Sequence, residues 1–179
     1  DADGDLVTVT GPDPDGAGPL ARPVTTYTRD PATGLVTRIR KPNEAGQPTP
    51  METVFGYDPA GTGNVLSQTS PEGSKTTYGY DAAGRVTSMV EPRGNISGCG
   101  CAADYTWNYD YDPAGNRTQV LSPDPDGAGP LPRLETTFAY DDVGRLERVT
   151  NAKGKVTRYE YNAANERIKE IAPNLSEVR

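Results

Sequence analysis

The stretch that most constrains the fold is Thr76-Thr77-Tyr78-Gly79-Tyr80-Asp81-Ala82-Ala83-Gly84-Arg85-Val86, because variants of it recur along the whole chain. Tyr78 and Tyr80 flank Gly79 at the period-two spacing of a strand with one aromatic face. Asp81-Ala82-Ala83-Gly84 then carries turn chemistry. An Asp that opens a type I turn bonds its own backbone two residues on, and Gly relieves the left-handed position that follows. Arg85 to Val90 reads as the returning strand. The predicted unit is a β-hairpin closed by a type I turn with a Gly bulge.

The copies vary in an informative way. Phe55-Gly56-Tyr57-Asp58-Pro59-Ala60-Gly61 and Tyr109-Asp110-Tyr111-Asp112-Pro113-Ala114-Gly115 put Pro just after the Asp, where a fixed φ near −65° helps the turn. Phe138-Ala139-Tyr140-Asp141-Asp142-Val143-Gly144 keeps the pattern with Phe as first aromatic. Tyr159-Glu160-Tyr161-Asn162-Ala163-Ala164-Asn165 replaces Gly by Asn, the other residue that tolerates positive φ. Tyr27-Thr28-Arg29-Asp30-Pro31-Ala32-Thr33-Gly34 loses one Tyr and gains one loop residue, and the chain opens on the turn Asp1-Ala2-Asp3-Gly4 with its first strand cut away. That opening reads as the inside of a repeat, with no signal peptide, so the chain is expected to be an internal piece. Substitutions that keep a backbone requirement while changing the letter point to a structural motif; a shared reactive group would not be exchanged this way.

The repeated Tyr-x-Tyr-Asp-x-x-Gly-Arg-Val/Leu resembles the YD repeat of RHS proteins, from Asp1 to about Ile171. The expected fold is all-β: residues 1–179 as a single array of six to seven antiparallel hairpins in a continuous twisted sheet or spiral, part of a shell or fibre. Each unit has a second turn after its returning strand, marked by Pro71-Glu72-Gly73, Pro92-Arg93-Gly94 and Asn151-Ala152-Lys153-Gly154. Inserts fall there, near 12–20, 41–51, 95–107 and 123–131. Pro12 to Leu20 returns letter for letter as Pro123 to Leu131, and its prolines forbid ladder pairing, so these loops lie at the rim of the sheet. The returning strands break strict alternation: Leu146 and Val149, Val86 and Met89, Arg117 and Val120, and Ile168 and Ile171 are three apart. That spacing predicts a bulge or strong local twist.

Leu, Ile, Val and Phe make up only 28 of 179 residues, below the roughly 20% at which disorder enters consideration. A net charge of −7 and ten Tyr oppose disorder and favour an ordered β structure with a thin, aromatic core. The acidic balance argues against a nucleic-acid partner. No apolar run approaches the roughly 18 residues of a membrane span. The chain has no His, which removes Ser-His-Asp and Cys-His catalysis and every His-ligated metal site.

Three sets of side chains remain as candidates. The aromatic ladder comprises Tyr27, Phe55, Tyr57, Tyr78, Tyr80, Tyr109, Tyr111, Phe138, Tyr140, Tyr159 and Tyr161. Tyr ladders stack sugars, but stacking of neighbouring strands on each other is favoured because every unit carries the stripe. The acidic clusters Asp1/Asp3/Asp5, Asp13/Asp15 and Asp124/Asp126 supply too few oxygens for Ca2+ and read as turn chemistry. Cys99 and Cys101 leave a local disulfide, a bond between chains and free thiols as alternatives, with catalysis ranked below. The turn residues Asp30, Gly34, Asp58, Gly61, Asp81, Gly84, Asp112, Gly115, Asp141, Gly144, Asn162 and Asn165 carry structure. No catalytic residue, cofactor or metal site is assigned.

The resemblance implies a non-catalytic wall segment of a secreted or cell-surface protein, whose β-sheet shell encloses a toxin-like polypeptide. The implied partners are further YD repeats, of the same parent chain or of neighbouring copies. The alternatives are a self-assembling extracellular fibre or adhesin built end to end, and a carbohydrate-binding module.

Overall fold

A computed structural model describes residues 5–18, 20–42, 51–127 and 129–173. The described residues are all-β, with thirteen antiparallel strands whose order in the sheet is their order in the chain. The chain divides into two compact units, Asp1–Gly84 and Arg85–Arg179. The first holds β1 (Thr8–Thr10), β2 (Val24–Arg29), β3 (Val36–Lys41), β4 (Met51–Tyr57), β5 (Val65–Thr69) and β6 (Lys75–Tyr80). The second holds β7 (Val86–Val90), β8 (Thr106–Tyr111), β9 (Arg117–Leu121), β10 (Glu135–Tyr140), β11 (Leu146–Thr150), β12 (Val156–Tyr161) and β13 (Arg167–Ile171). Within each unit every strand pairs with its neighbours in the chain. The membrane criterion gives a plain result: among the described residues no helix is long and apolar enough to cross a bilayer.

The Asp-x-x-Gly turns have the local bonds that their residue types favour. In the turn after β10, Gly144 N–H donates to the Asp141 carbonyl at 2.9 Å and Asp141 N–H to the Arg145 carbonyl at 2.9 Å. The Asp141 carboxylate accepts from Val143 N–H, two residues on, at 3.1 Å. Gly144 sits at φ +81°, and Asn165 takes the same left-handed region at φ +63° in the last turn. Asn162 there does the work of Asp through its amide oxygen, accepting from Ala164 N–H at 2.9 Å. The turn after β4 is two residues longer than this pattern: Asp58 N–H closes onto the Asn64 carbonyl.

The hairpins β2–β3, β4–β5, β8–β9, β10–β11 and β12–β13 each contain one bulge. Phe138 faces Val149 and Ala139 faces Arg148, but Tyr140 faces Leu146, so Glu147 is the extra residue. The same shift occurs after Thr28, Gly56, Asp110 and Glu160. It explains the spacing of three. Phe138 and Tyr140 share a face, so their partners Val149 and Leu146 share it too. The Ile168/Ile171 pair is a correction: there Arg167 and Glu170 take the partner positions, and Ile168 is the bulged residue, 62% exposed.

Among the described residues no apolar side chain is fully buried; Ser122, at 9% exposure, is the buried polar one. All eleven ladder aromatics are half-buried. One face of each unit's sheet carries them, and the other carries charge, with Glu52 between Arg38 and Arg40 (3.5 and 3.7 Å) and Lys169 against Glu160 (3.3 Å). The expected thin core is therefore a half-covered layer.

The inserts need two corrections of extent. Lys41 and Met51 belong to β3 and β4, and residues 43–50 between them lie outside the described residues. Thr106 and Trp107 belong to β8, and the loop before them contains two short 3-10 turns, Pro92–Asn95 and Ala102–Tyr105. In the twin loops, Asp15 and Asp126 each accept the backbone N–H five residues on, Leu20 and Leu131, at 3.1 Å. A Cβ on Gly18 or Gly129 would stand 1.9 Å from that carboxylate, so a side chain there would displace it from its bond to the loop.

Candidate functional site

The ladder aromatics meet polar partners of a kind that the sequence reading did not anticipate. The second Tyr of each hairpin donates its hydroxyl to a backbone carbonyl of the preceding hairpin. Tyr57 reaches Val36 at 2.8 Å, Tyr80 reaches Val65 at 2.8 Å, and Tyr111 reaches Val86 at 2.9 Å. Tyr140 reaches Arg117 and Tyr161 reaches Leu146, both at 2.9 Å. Each acceptor is the first residue of a returning strand, and Val36, Val65, Arg117 and Leu146 lie at a bulge. The ladder between hairpins stops two residues short of it, at Arg38, Ser67, Ser88, Gln119 and Arg148. A bulge interrupts regular pairing, and the phenol supplies a rung where the backbone has stopped. In the copy that lacks the second Tyr, Arg29 takes the position and its guanidinium donates to the equivalent carbonyl of Leu6 at 3.4 Å.

Arginines interleave with the rings. Arg85 and Arg145, each just after a turn Gly, lie over Tyr111 and Tyr161 of the next hairpin at 4.9 and 4.8 Å. Arg117 sits between Tyr109 (5.8 Å) and Phe138 (5.3 Å), and Arg167 lies over Tyr159 at 5.2 Å. The expected packing of ring on ring is thus replaced, in these places, by a cation over a ring face. The same arginines tie turn to turn. Arg85 donates to the Asp112 carbonyl at 2.9 Å; Arg145 donates to Asp141 Oδ2 at 2.7 Å and to Asn165 Oδ1 at 2.8 Å. The signal was legible in Gly-Arg at 84–85 and 144–145, read only as the start of a strand. Within the first unit, Tyr27, Phe55 and Tyr78 share one face of the sheet with Tyr57 and Tyr80.

Electrostatics at the turns follow from these bonds. The Asn116 side chain, above all, holds the Asp112 carboxyl below its usual value, and Arg145 N–H does the same for Asp141. The Thr33 hydroxyl lowers Asp30. Burial pushes the Tyr80 hydroxyl up, helped by Tyr78. These are directions that stabilise turns; none pairs an acid with a base across a cleft.

Each unit has a groove. One of about 600 Å3 is lined by Met89, Glu91, Trp107, Tyr109, Val120 and Phe138. Trp107 is held there by its Nε1–H, which donates to Glu91 Oε1 at 2.7 Å. Another of about 800 Å3 lies beside Asp58, Asn64, Tyr80 and the turn 81–84.

The remaining candidates are placed as follows. Cys99 and Cys101 are joined as a disulfide with Cα atoms 5.1 Å apart, next to the Arg93 carbonyl. Asp13 pairs with Arg22 at 3.9 Å, and Asp124 accepts from Asp126 N–H at 3.2 Å. Asp1 and Asp3 lie outside the described residues. Among the described residues no three His, Cys, Asp or Glu converge as a metal cage.

Comparison with known proteins gives the kinship of this architecture. Residues 57–96 and 140–175 match the family model RHS Repeat. A curated relative, the double-stranded DNA deaminase toxin A of Burkholderia cenocepacia, is 34% identical over 115 residues, covering 62% of this chain and 8% of its own length. Among solved structures, a crystal structure of TcdB2-TccC3-TEV superposes with a TM-score of 0.57 at 17% identity, covering 83% of this chain and 8% of that chain. That likeness concerns the fold. The chain thus spans about 8% of the length of these relatives.

Proposed function

This chain is built of RHS repeats, and on that footing we propose that it is a non-catalytic segment of the wall of an RHS shell that encloses a toxin-like polypeptide. The observation that carries the reading is the half-covered aromatic face on a sheet without a fully buried apolar side chain among the described residues. Such a layer gains its stability from what lies beside it and against it, as a wall does. The curated relative bears the name of a toxin, and the fold likeness is to TcdB2-TccC3-TEV. A deaminase of the zinc type needs a His or Cys cage with a catalytic Glu. This sequence has no His and only two Cys, which supports the non-catalytic reading of the segment. The partners are further YD repeats and the enclosed polypeptide, and the setting is secreted or cell-surface.

The phenols support packing over sugar binding, because their hydroxyls donate to backbone carbonyls. The test is protection of a cargo. The parent polypeptide is treated with protease, with the Gly84→Val variant alongside. The wall reading expects a cargo fragment that resists digestion in the native protein and is degraded in the variant. Equal digestion of the cargo in both, with the repeats intact, would sink it. Filaments growing with concentration would favour the fibre.

A further inference from the structure

Cys99 and Cys101 are the whole cysteine content of the chain. Their disulfide spans one residue, Gly100, and joins no two strands. The constraint that a disulfide places on an unfolded chain shrinks with the loop it closes. A ring over so short a segment therefore adds little as a staple.

The neck of the loop is held without it. Glu91 N–H donates to the Tyr105 carbonyl at 2.9 Å, and the Asn95 amide donates to the Val90 and Glu91 carbonyls, both at 3.1 Å. The Thr106 hydroxyl donates to the Ala102 carbonyl at 2.6 Å. A Cβ on Gly94 would stand 3.0 Å from Tyr105 Cβ and 3.2 Å from Ala102 Cα, so the two 3-10 turns touch there. Opening the disulfide removes none of these contacts.

The two sulfurs differ. Cys99 is exposed, whereas Cys101 is half-buried. Gly98 and Gly100 flank Cys99 with nothing within 4 Å of where their Cβ atoms would stand, so the approach to Cys99 is open. Cys101 N–H stands 3.1 Å from Cys99 Sγ, and a donor there favours negative charge on that sulfur. The Arg93 carbonyl lies 3.8 Å from Cys99 Sγ and 3.6 Å from Cys101 Sγ, within reach of an S–H on either once the bond is open. The same loop thus accommodates the disulfide and the dithiol.

We propose that Cys99–Cys101 is a thiol–disulfide exchange site for small thiols in solution. A thiolate bonds to Cys99 Sγ as the Cys99–Cys101 bond breaks, and the electron pair leaves on Cys101 Sγ, which takes a proton from water. A second thiolate then bonds to the sulfur of the first thiol and displaces Cys99. The loop gains two electrons, and the two thiols depart as their disulfide. In the reverse direction Cys99 is the attacking thiolate and Cys101 closes the ring. The chain has no third Cys, so the exchanging thiol comes from outside it. This chemistry does not depend on cargo enclosure, and either can fail without the other.

The probe is glutathione, added to the full native chain. Alkylation and intact mass count the thiols. Emission from Trp107, the one Trp and the partner of Glu91, reports the fold beside the loop. Millimolar reduced glutathione is expected to open most of the disulfide while Trp107 emission and the melting temperature stay unchanged. Two variants assign the sulfurs, and both keep the backbone N–H at 101. With glutathione disulfide, Cys101→Ser should take up glutathione on Cys99 about tenfold faster than Cys99→Ser takes it up on Cys101. A disulfide that millimolar glutathione opens only after urea has unfolded the chain overturns the proposal. So does a melting temperature that falls on opening, which would make the bond a staple, or uptake at equal rates by the two variants.

Discussion

The Tyr111 hydroxyl donates to the Val86 carbonyl at 2.9 Å, so the last aromatic of β8 closes onto the first residue of β7. The contact joins the two strands at the level where backbone pairing between them has ended. Tyr111→Phe keeps the ring and removes the donor, leaving a half-buried carbonyl without it. The expected loss is about 1 kcal/mol, the usual net worth of such a bond. Tyr111→Ala also removes the ring under Arg85 and should cost about 2–3 kcal/mol, below the roughly 3–5 of a fully buried aromatic. Urea midpoints of the three proteins check the order; a Phe variant as stable as the parent would show the hydroxyl to be idle.

Gly144 at φ +81° has open space where a Cβ would go, so the cost of replacing it is backbone strain alone. Gly144→Asn should be mild, because Asn165 holds the same region in the last turn. Gly144→Val should lose about 2 kcal/mol or more, since a left-handed position costs an L-residue about 1–2 and β-branching adds to it. Thermal unfolding of the pair of variants tests this. Equal melting temperatures would remove the argument from φ.

Asp141 has its carboxyl lowered below 3.8 by Arg145 N–H first, then by the Arg145 side chain. A carboxyl lowered in the folded state contributes stability that is complete above its unfolded value, near pH 4, and fades as pH falls through the folded value. Asp112 and Asp30 act in the same direction. Stability should therefore be level from neutral pH down to about 5 and fall below about 4. Asp141→Asn retains an acceptor, as Asn162 does, and should flatten part of the acid limb. An acid limb unchanged in the variant would remove Asp141 from the account.

Arg145 joins Asp141, Asn165 and the Tyr161 ring through one planar fork. Lys has a point charge and no fork. Arg145→Lys should cost about 1–2 kcal/mol, a ring contact plus a hydrogen bond. It should also move the Tyr161 ring resonances in an NMR spectrum. Unmoved resonances would mean that the guanidinium does not rest on the ring in solution.

The hairpins were legible because turn chemistry is local. Asp81 and Gly84 state their geometry within four residues, and Leu146 to Val149 betrayed the bulge through a break in alternation. What Tyr80 bonds was not legible. Its acceptor, Val65, is set by how far pairing between hairpins runs before the bulge, which depends on register and not on the Tyr-Asp motif. The arginines were misread for a related reason. Arg85 lies one residue past a turn Gly, where a strand residue is expected, and only the position of the next hairpin places Tyr111 under it.

Among the described residues the offset of 111 between the twin loops runs from β1 to β9, eight strands on, which is four complete hairpins and no half ones. Tyr strands and returning strands alternate, and the second Tyr hydroxyl needs the first residue of a returning strand before it. Gain or loss of a single strand would set like against like and break every link at the joint. The length of such a chain can therefore change only in steps of two strands. A lineage that lengthens or shortens it by recombination keeps a working protein only when the exchanged segment is a whole number of hairpins.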